Sequence, residues 1–293
     1  MATLSGRGEL PGPGAAAPTR EAVHAGLQAF GRQSDEAIDI GEAALLLAAL
    51  ERPAVPLERY RAHLHELAQD FAEALGQDAG DVDAAAAALA EVVHRRHGYE
   101  GDSLTYDDPQ NANLMRVIDR RKGLPVALGI LYMHAARKSG LVADGLAFPG
   151  HFLIGVTAGG RRLLLDPFNG GRTVDAATMR QLLKSLGGEA TELSPAHHRA
   201  VPTRSVLLRL QNNVKIRAVK AGETARATEA LRAMTALSPA EAGLWFELGE
   251  IETRAGNLAA AIAAFETARE VESDGRLKLR LAEVISSLRR RLN

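Results

Sequence analysis

The sequence predicts an α+β fold followed by an all-α pair of helical hairpins. Three observations carry this reading. Apolar residues recur at three- and four-residue steps from about Glu36 to Arg96 and again beyond Arg204, the spacing of one helix face. Between Leu141 and Leu165 the period falls to two, the spacing of a half-buried strand. Beyond residue 204 the chain then repeats itself: Ala221-Gly222 returns as Ala255-Gly256, Ala227 as Ala261, Ala230-Leu231 as Ala264-Phe265, and Leu237 as Val271.

Residues 1–20 are rich in Gly, Pro and Ala and predict a disordered tail, because they carry too little apolar surface to order themselves. A first domain is expected over 21–202 and a second over 203–293. Ala43, Leu46, Leu47 and Leu50 form one helical stripe, and Tyr60, Leu64, Leu67, Phe71 and Leu75 form another. Asp81 or Asp83 is placed to cap the alanine-rich helix that follows, which runs to His94. Gly98 to Gln110 reads as a polar loop. Asn111 or Asn113 then caps a short helix that Gly123 is expected to end.

Pro125 suits the first turn of the next helix, where its missing N–H costs nothing. From Val126 to Ala136 that helix is apolar on nearly every face, so it is expected at the centre of the core. Strands are expected over 141–148, 152–157 and 161–165, with Ala158-Gly159-Gly160 as a hairpin turn. Asp175 caps a helix through Leu186, and 187–202 reads as a boundary loop. The repeat beyond it has the period and small-residue pattern of tetratricopeptide hairpins, with Phe265 filling the gap beside the alanines. A last helix over 276–293 should point Leu277, Leu281, Ile285 and Leu288 inward.

Composition narrows the function. The 293 residues are 46% hydrophobic and only 4% aromatic, with a net charge of −1 and a pI near 6.8. Such a chain has no bulk positive field to draw it to nucleic acid or an anionic membrane, so neither is expected as a partner. It has no cysteine, which excludes disulfides, thiolate metal sites and thiol catalysis from its own side chains. No apolar run reaches 18 residues and the first 20 lack a signal-peptide pattern, so the cytoplasm is the expected compartment.

Two residues carry the candidate chemistry. His151, in Phe148-Pro149-Gly150-His151-Phe152-Leu153-Ile154, opens one expected strand, and Asp166, in Asp166-Pro167-Phe168-Asn169-Gly170-Gly171, closes the next. In a hairpin they can sit side by side, as the acid and base of a thiol triad do. Three readings of His151 stand: a structural histidine bonded to Asp166, a binding residue in a retired cleft, or a base that activates water. Asp166-Pro167 also reads as simple strand-to-turn punctuation, since Asp bonds its own backbone two residues on. Ser103, Thr105 and Ser139 are the nearby hydroxyls, and none falls at the start of the central helix. Arg116, Arg120, Arg121 and Lys122 form a basic cluster that Asp102, Asp107 and Asp108 can neutralise, or that can hold an acidic peptide or a phosphate. His63 and His65 diverge on a helix, and His94 and His97 lack a third ligand, so no metal site is expected. His197-His198 reads as a solvated loop pair.

The blocks Asn113-Leu114, Arg120 to Leu128, Phe148 to Leu153 and Asp166 to Gly171, with the repeats behind them, resemble the bacterial SirB-type family. Its members join a transglutaminase-like domain to tetratricopeptide repeats. The resemblance covers about 36–275 and implies a transglutaminase/papain-like core for the first two thirds. It places His151 and Asp166 on the superfamily His and Asp. Catalytic relatives carry a Gly-x-Cys at the start of the central helix, where this chain reads Gly123-Leu124-Pro125-Val126-Ala127. Asn113, Pro125, Val126, Phe152 and Asn169 are the candidates to line the cleft beside the His–Asp pair. The expected function is therefore non-catalytic: a pseudoenzyme acting as a protein-interaction or regulatory module, without cofactor, on a protein or peptide partner. The rival is a hydrolase or acyl transferase that uses the His–Asp pair alone.

Overall fold

The structure is a computed structural model that describes residues 16–187 and 192–292. The expected tail falls largely outside these residues, and the first helix, α1 (Arg20–Gly31), opens where Thr19 accepts the Ala22 N–H at 3.2 Å. Then come α2 (Ile40–Ala49), α3 (Glu58–Leu75) and α4 (Val82–Leu89), the last capped by Asp81 and continued by a wider π turn over Ala90–Arg96. Both predicted stripes are buried from Ala43 to Leu50 and from Tyr60 to Leu75.

β1 (Glu100–Gly101) precedes α5 (Leu114–Arg120), which Asn113 caps by accepting the Arg116 N–H at 3.1 Å. α5 ends one residue beyond Arg120, where Arg121 takes the left-handed conformation at φ 59°. Gly123 therefore does not stop that helix. It lies in β2 (Lys122–Gly123), which pairs in parallel with β1.

Pro125 opens α6 (Pro125–Lys138), and every residue from Val126 to Ala136 is buried, as its all-round apolar pattern requires. Five antiparallel strands lie in the order β6-β5-β4-β3-β7: β3 (Val142–Leu146), β4 (Ile154–Ala158), β5 (Arg161–Asp166), β6 (Arg172–Thr173) and β7 (Ala200–Val201). Gly159 (φ 55°) and Gly160 (φ 76°) join β4 to β5 by a two-residue turn that needs positive φ at both positions. The Phe152 ring fits between sheet and helix because Gly129 has no side chain; a Cβ there would stand 2.3 Å from it. α7 (Ala176–Gly187) is capped by Asp175, which accepts the Thr178 N–H at 2.8 Å.

The C-terminal third is helical: α8 (Thr203–Lys220), α9 (Thr224–Leu237), α10 (Ala242–Arg254), α11 (Leu258–Val271) and α12 (Gly275–Leu292). α9 and α11 begin and end at the same offset as the sequence repeat, and Ala227, Ala230, Ala261 and Ala264 are all buried. In α12, Leu281, Ile285 and Leu288 face inward, but Leu277 is 42% exposed, one turn before α12 meets α11. The hydrophobic core crosses the expected boundary at 202–203. Val206, Leu207, Leu210 and Val214 of α8 share one buried cluster with α2 and α6. Pro202 has no side chain that can cap α8, and Asp35 does so from across the molecule, accepting the Thr203 N–H at 2.5 Å and the Arg204 N–H at 2.8 Å.

Candidate functional site

β4 begins where β5 ends, with Ile154 opposite Leu165, so His151 and Asp166 do lie at the same end of the sheet. His151 is not on the strand, however. The Leu146 N–H donates to the Leu153 carbonyl at 3.0 Å and closes a loop over residues 147–152. Within it Gly150, at φ 69°, lets the His151 N–H turn back onto the Pro149 carbonyl at 2.8 Å, a three-residue reversal. The imidazole is half-buried, 6.4 Å from the Phe148 ring, and makes no hydrogen bond or ion pair among the described residues. Its carbonyl accepts from Arg209 of α8 at 3.0 Å. That guanidinium sits 5.3 Å from the Phe152 ring centre without a carboxylate partner, and burial lowers its pKa.

Asp166 has its own business. Its Oδ1 accepts from the N–H groups of Phe168 at 3.1 Å and Asn169 at 3.2 Å, and Oδ2 accepts from the Asn169 amide at 2.7 Å. Arg172 lies 3.6 Å from the same oxygen. The carboxylate, buried at 2% exposure, is thus the cap of the 3-10 turn Pro167–Asn169. The expected His151–Asp166 hydrogen bond is not formed, and of the readings of Asp166 the strand-to-turn punctuation is the one observed. Beneath this turn lies Tyr132 of α6. Its hydroxyl is buried with no hydrogen-bond partner, and burial and the nearby Asp166 charge both push its pKa up.

The five candidate cleft residues do not converge. Asn113 is 3% exposed and spends its amide on the Ala48 carbonyl at 2.9 Å and on Glu51 at 3.3 Å. Val126 is in the core, Pro125 is half-buried above it, and Asn169 is exposed on the far side of its turn. Phe152 is buried, at the wall of a cavity of about 400 Å³ that it shares with Phe148, His197, Val206 and Arg209. Asn113 borders a different cavity of about 510 Å³. Phe152 and Ile154 pack on Gly129, one turn into α6 from the helix start that would carry a nucleophile, as their alternation toward α6 foreshadows.

The basic cluster is mostly neutralised. Arg120 reaches Asp102 at 3.2 Å and Asp108 at 3.6 Å, and Lys122 reaches Glu100 at 3.2 Å. Asp107 pairs instead with Arg217 of α8 at 3.4 Å. Bonds from the Thr105 hydroxyl and N–H hold the Asp102 pKa down to about 2. Arg121 bonds Tyr99 and His63 without an ion pair, and of the four only Arg116 has neither an ion pair nor a side-chain hydrogen bond among the described residues. The Ser139 hydroxyl is buried and unpartnered at the opposite end of α6 from Pro125, and Ser103 is exposed, so neither replaces a thiol there. His197 is half-buried rather than fully solvated: its Nδ1 accepts the Ser194 N–H at 3.1 Å and its ring stands 6.0 Å from Phe148.

Two histidines that the sequence left without a role have acidic partners. His97 Nε2 meets Asp70 at 2.6 Å, and His134, buried in α6, lies 3.7 Å from Asp39. No group of three or more His, Cys, Asp or Glu among the described residues is placed to hold a metal ion. No described helix is long and apolar enough to cross a membrane.

Comparison with known proteins agrees with this architecture. Residues 58–212 match the family model of the transglutaminase-like superfamily. A UPF0162 protein of Xylella fastidiosa is 34% identical over 181 residues, which is 58% of this chain and 63% of the relative, so the match spans under two thirds of that protein. A UPF0162 protein of Pseudomonas aeruginosa is 31% identical over 217 residues, covering 71% of this chain and 77% of the relative. Among solved structures, a crystal structure of menin, described as revealing its binding site for the Mixed Lineage Leukemia protein, covers 86% of this chain at a TM-score of 0.43 and 11% identity, too distant a likeness to bear on function.

Proposed function

The chain belongs to the transglutaminase-like superfamily and is a UPF0162 relative, and from that premise we propose that it is a non-catalytic member serving as a protein-interaction or regulatory module. One observation carries the reading. The chain has no cysteine, and the acid that would orient its histidine already caps a turn through three hydrogen bonds. An imidazole without an orienting acid and without a nucleophile within its own chain has neither partner that acyl transfer requires. Arg209, bonded to the His151 carbonyl and set over the Phe152 ring, brings a cation rather than an acid to this histidine, which further supports a retired site.

The helical third supports the interaction half of the proposal. Its matched helices, buried alanines and Phe265 packed on Gly249 are what a tetratricopeptide pair would provide, and such hairpins present surfaces to protein segments. With α8 and α9 sharing the core of the first domain and α10 packed on α9, the chain would act as one body. In this reading the partner is a protein or peptide and the working compartment is the cytoplasm.

The test is turnover. The purified chain and its His151→Ala variant are offered p-nitrophenyl esters, and a glutamine peptide with an amine acceptor. Equal rates for both proteins, indistinguishable from buffer, are expected. Turnover that vanishes in His151→Ala would establish the hydrolase or acyl-transferase reading instead.

A further inference from the structure

The cavity of about 510 Å³ bordered by Asn113 lies where the two halves of the chain meet. Its walls come from the end of α2, the start of α5, the middle of α8 and the first turns of α9. Four arginines and two glutamates line it. Most of these charges are spoken for. Glu51 is held by Arg226 at 2.5 Å, Glu229 by Arg20 at 3.3 Å and His24 at 3.0 Å, and Arg52 by Asp119 at 2.8 Å. Arg116 is the cation left over, exposed at the rim and in no ion pair among the described residues.

The deeper wall holds the more informative residue. Gln211 is on the inward face of α8, one turn from Leu207 and beside Leu210 and Val214, which are core residues. It is 3% exposed, and its amide makes no hydrogen bond among the described residues. That amide is not sealed in the core but opens onto the cavity, where a polar group of a bound molecule can meet it. Asn113, its neighbour on the same cavity, is by contrast fully engaged.

We propose that this cavity binds an acidic peptide segment, with a carboxylate on Arg116 and a main-chain amide on Gln211. The proposal rests on the non-catalytic reading above and supplies its partner class. The chemistry favours a peptide over a bare anion. A carboxamide offers both donors and an acceptor, the complement of a peptide group, whereas phosphate only accepts at full charge and would leave the Gln211 carbonyl unmet. The excess of arginine over glutamate selects an acidic side chain, and the volume is in the range of sites that enclose small ligands.

The probe is a fluorescein-labelled pentapeptide, Gly-Glu-Gly-Glu-Gly, beside its Gln-for-Glu counterpart, titrated by anisotropy against the full chain. Saturable binding of the Glu peptide is expected, at least tenfold tighter than the Gln peptide. Arg116→Gln and Gln211→Met should each weaken it at least tenfold. Arg116 is exposed and unpaired, so its variant folds; an unchanged urea midpoint checks Gln211→Met. Absence of binding up to millimolar protein, or binding that neither variant weakens, overturns the proposal. So does inorganic phosphate competing as well as unlabelled peptide, which would make the cavity an anion site. These outcomes are independent of His151-dependent turnover, which alone would defeat the non-catalytic reading.

Discussion

Removing His151 and Asp166, singly and together, separates a structural aspartate from a surviving catalytic pair. Asp166→Ala takes the acceptor from two main-chain N–H groups at 3.1 and 3.2 Å and from the Asn169 amide at 2.7 Å. Losing a cap costs about 0.5–2 kcal/mol, and burying donors without a partner costs about 1–3 kcal/mol. The two figures describe the same groups and are not summed. The half-exposed Arg172 adds at most about 0.5 kcal/mol. The expected loss is therefore about 2–3 kcal/mol. His151→Ala removes a half-buried ring whose one aromatic neighbour is 6.4 Å away, so about 0.5 kcal/mol is expected. Urea unfolding of wild type, both single variants and the double variant measures these losses. Because the two side chains share no bond, the double variant should equal the sum of the singles within about 0.5 kcal/mol. A coupling of about 1.5 kcal/mol or more is what a hydrogen bond to a charged carboxylate contributes, and it would refute the geometry argued here.

Two further predictions concern groups outside that pair. His63 is enclosed by Tyr99, Arg121 and Glu66, and burial followed by the Arg121 charge pushes its pKa down to about 4. Its folded pKa is below the unfolded value of about 6.5, so its contribution is complete above pH 6.5 and is lost as pH falls toward 4. Stability should fall by roughly 2 kcal/mol across that window, allowing for its partial exposure, and a His63→Gln variant should lose markedly less; equal slopes for both proteins would show that His63 is not the cause. The unpartnered Tyr132 hydroxyl makes Tyr132→Phe a stabilising change of about 1 kcal/mol in urea unfolding, and a loss of stability would mean that the hydroxyl has a partner in solution.

What the sequence disclosed and what it hid divide along a physical line. Signals held in local spacing were legible: the stripe from Tyr60 to Leu75, Pro125 at the head of α6, and the paired left-handed glycines at 159 and 160. Features made by distant parts of the chain were not. The β1–β2 pair is two residues per strand, too short for a period, and it exists because Gly101 lets the Phe168 ring pack on it; a Cβ there would lie 2.5 Å from that ring. Asp35 capping α8 spans 168 positions. At the site, the His151 strand assignment failed because Gly150 could take a positive φ, which apolar alternation does not register. Gln211 did leave a signal, as a polar residue at an inward step of the stripe through Leu207, Leu210 and Val214.

The residues that make this chain look like an enzyme each have work that needs no substrate. Asp166 caps a turn, Asn169 returns an amide to it, and Gly171 leaves room for Tyr132, whose hydroxyl would lie 2.7 Å from a Cβ at that position. Gly170 does the same for His94, and Phe152 seals the sheet against α6 over Gly129. In the non-catalytic reading proposed above, the motif persists because each member is tied to local packing rather than to the others. The same logic points away from the His151–Asp166 end of the sheet. There every polar group of Asp166 is satisfied within the fold, whereas at the junction of α5 and α8 a free guanidinium and an amide open onto one cavity without partners among the described residues. Unmet hydrogen-bonding capacity that opens onto a cavity, unlike the sealed Tyr132 hydroxyl, is where a binding surface should be sought, and here it lies between the two halves of the chain.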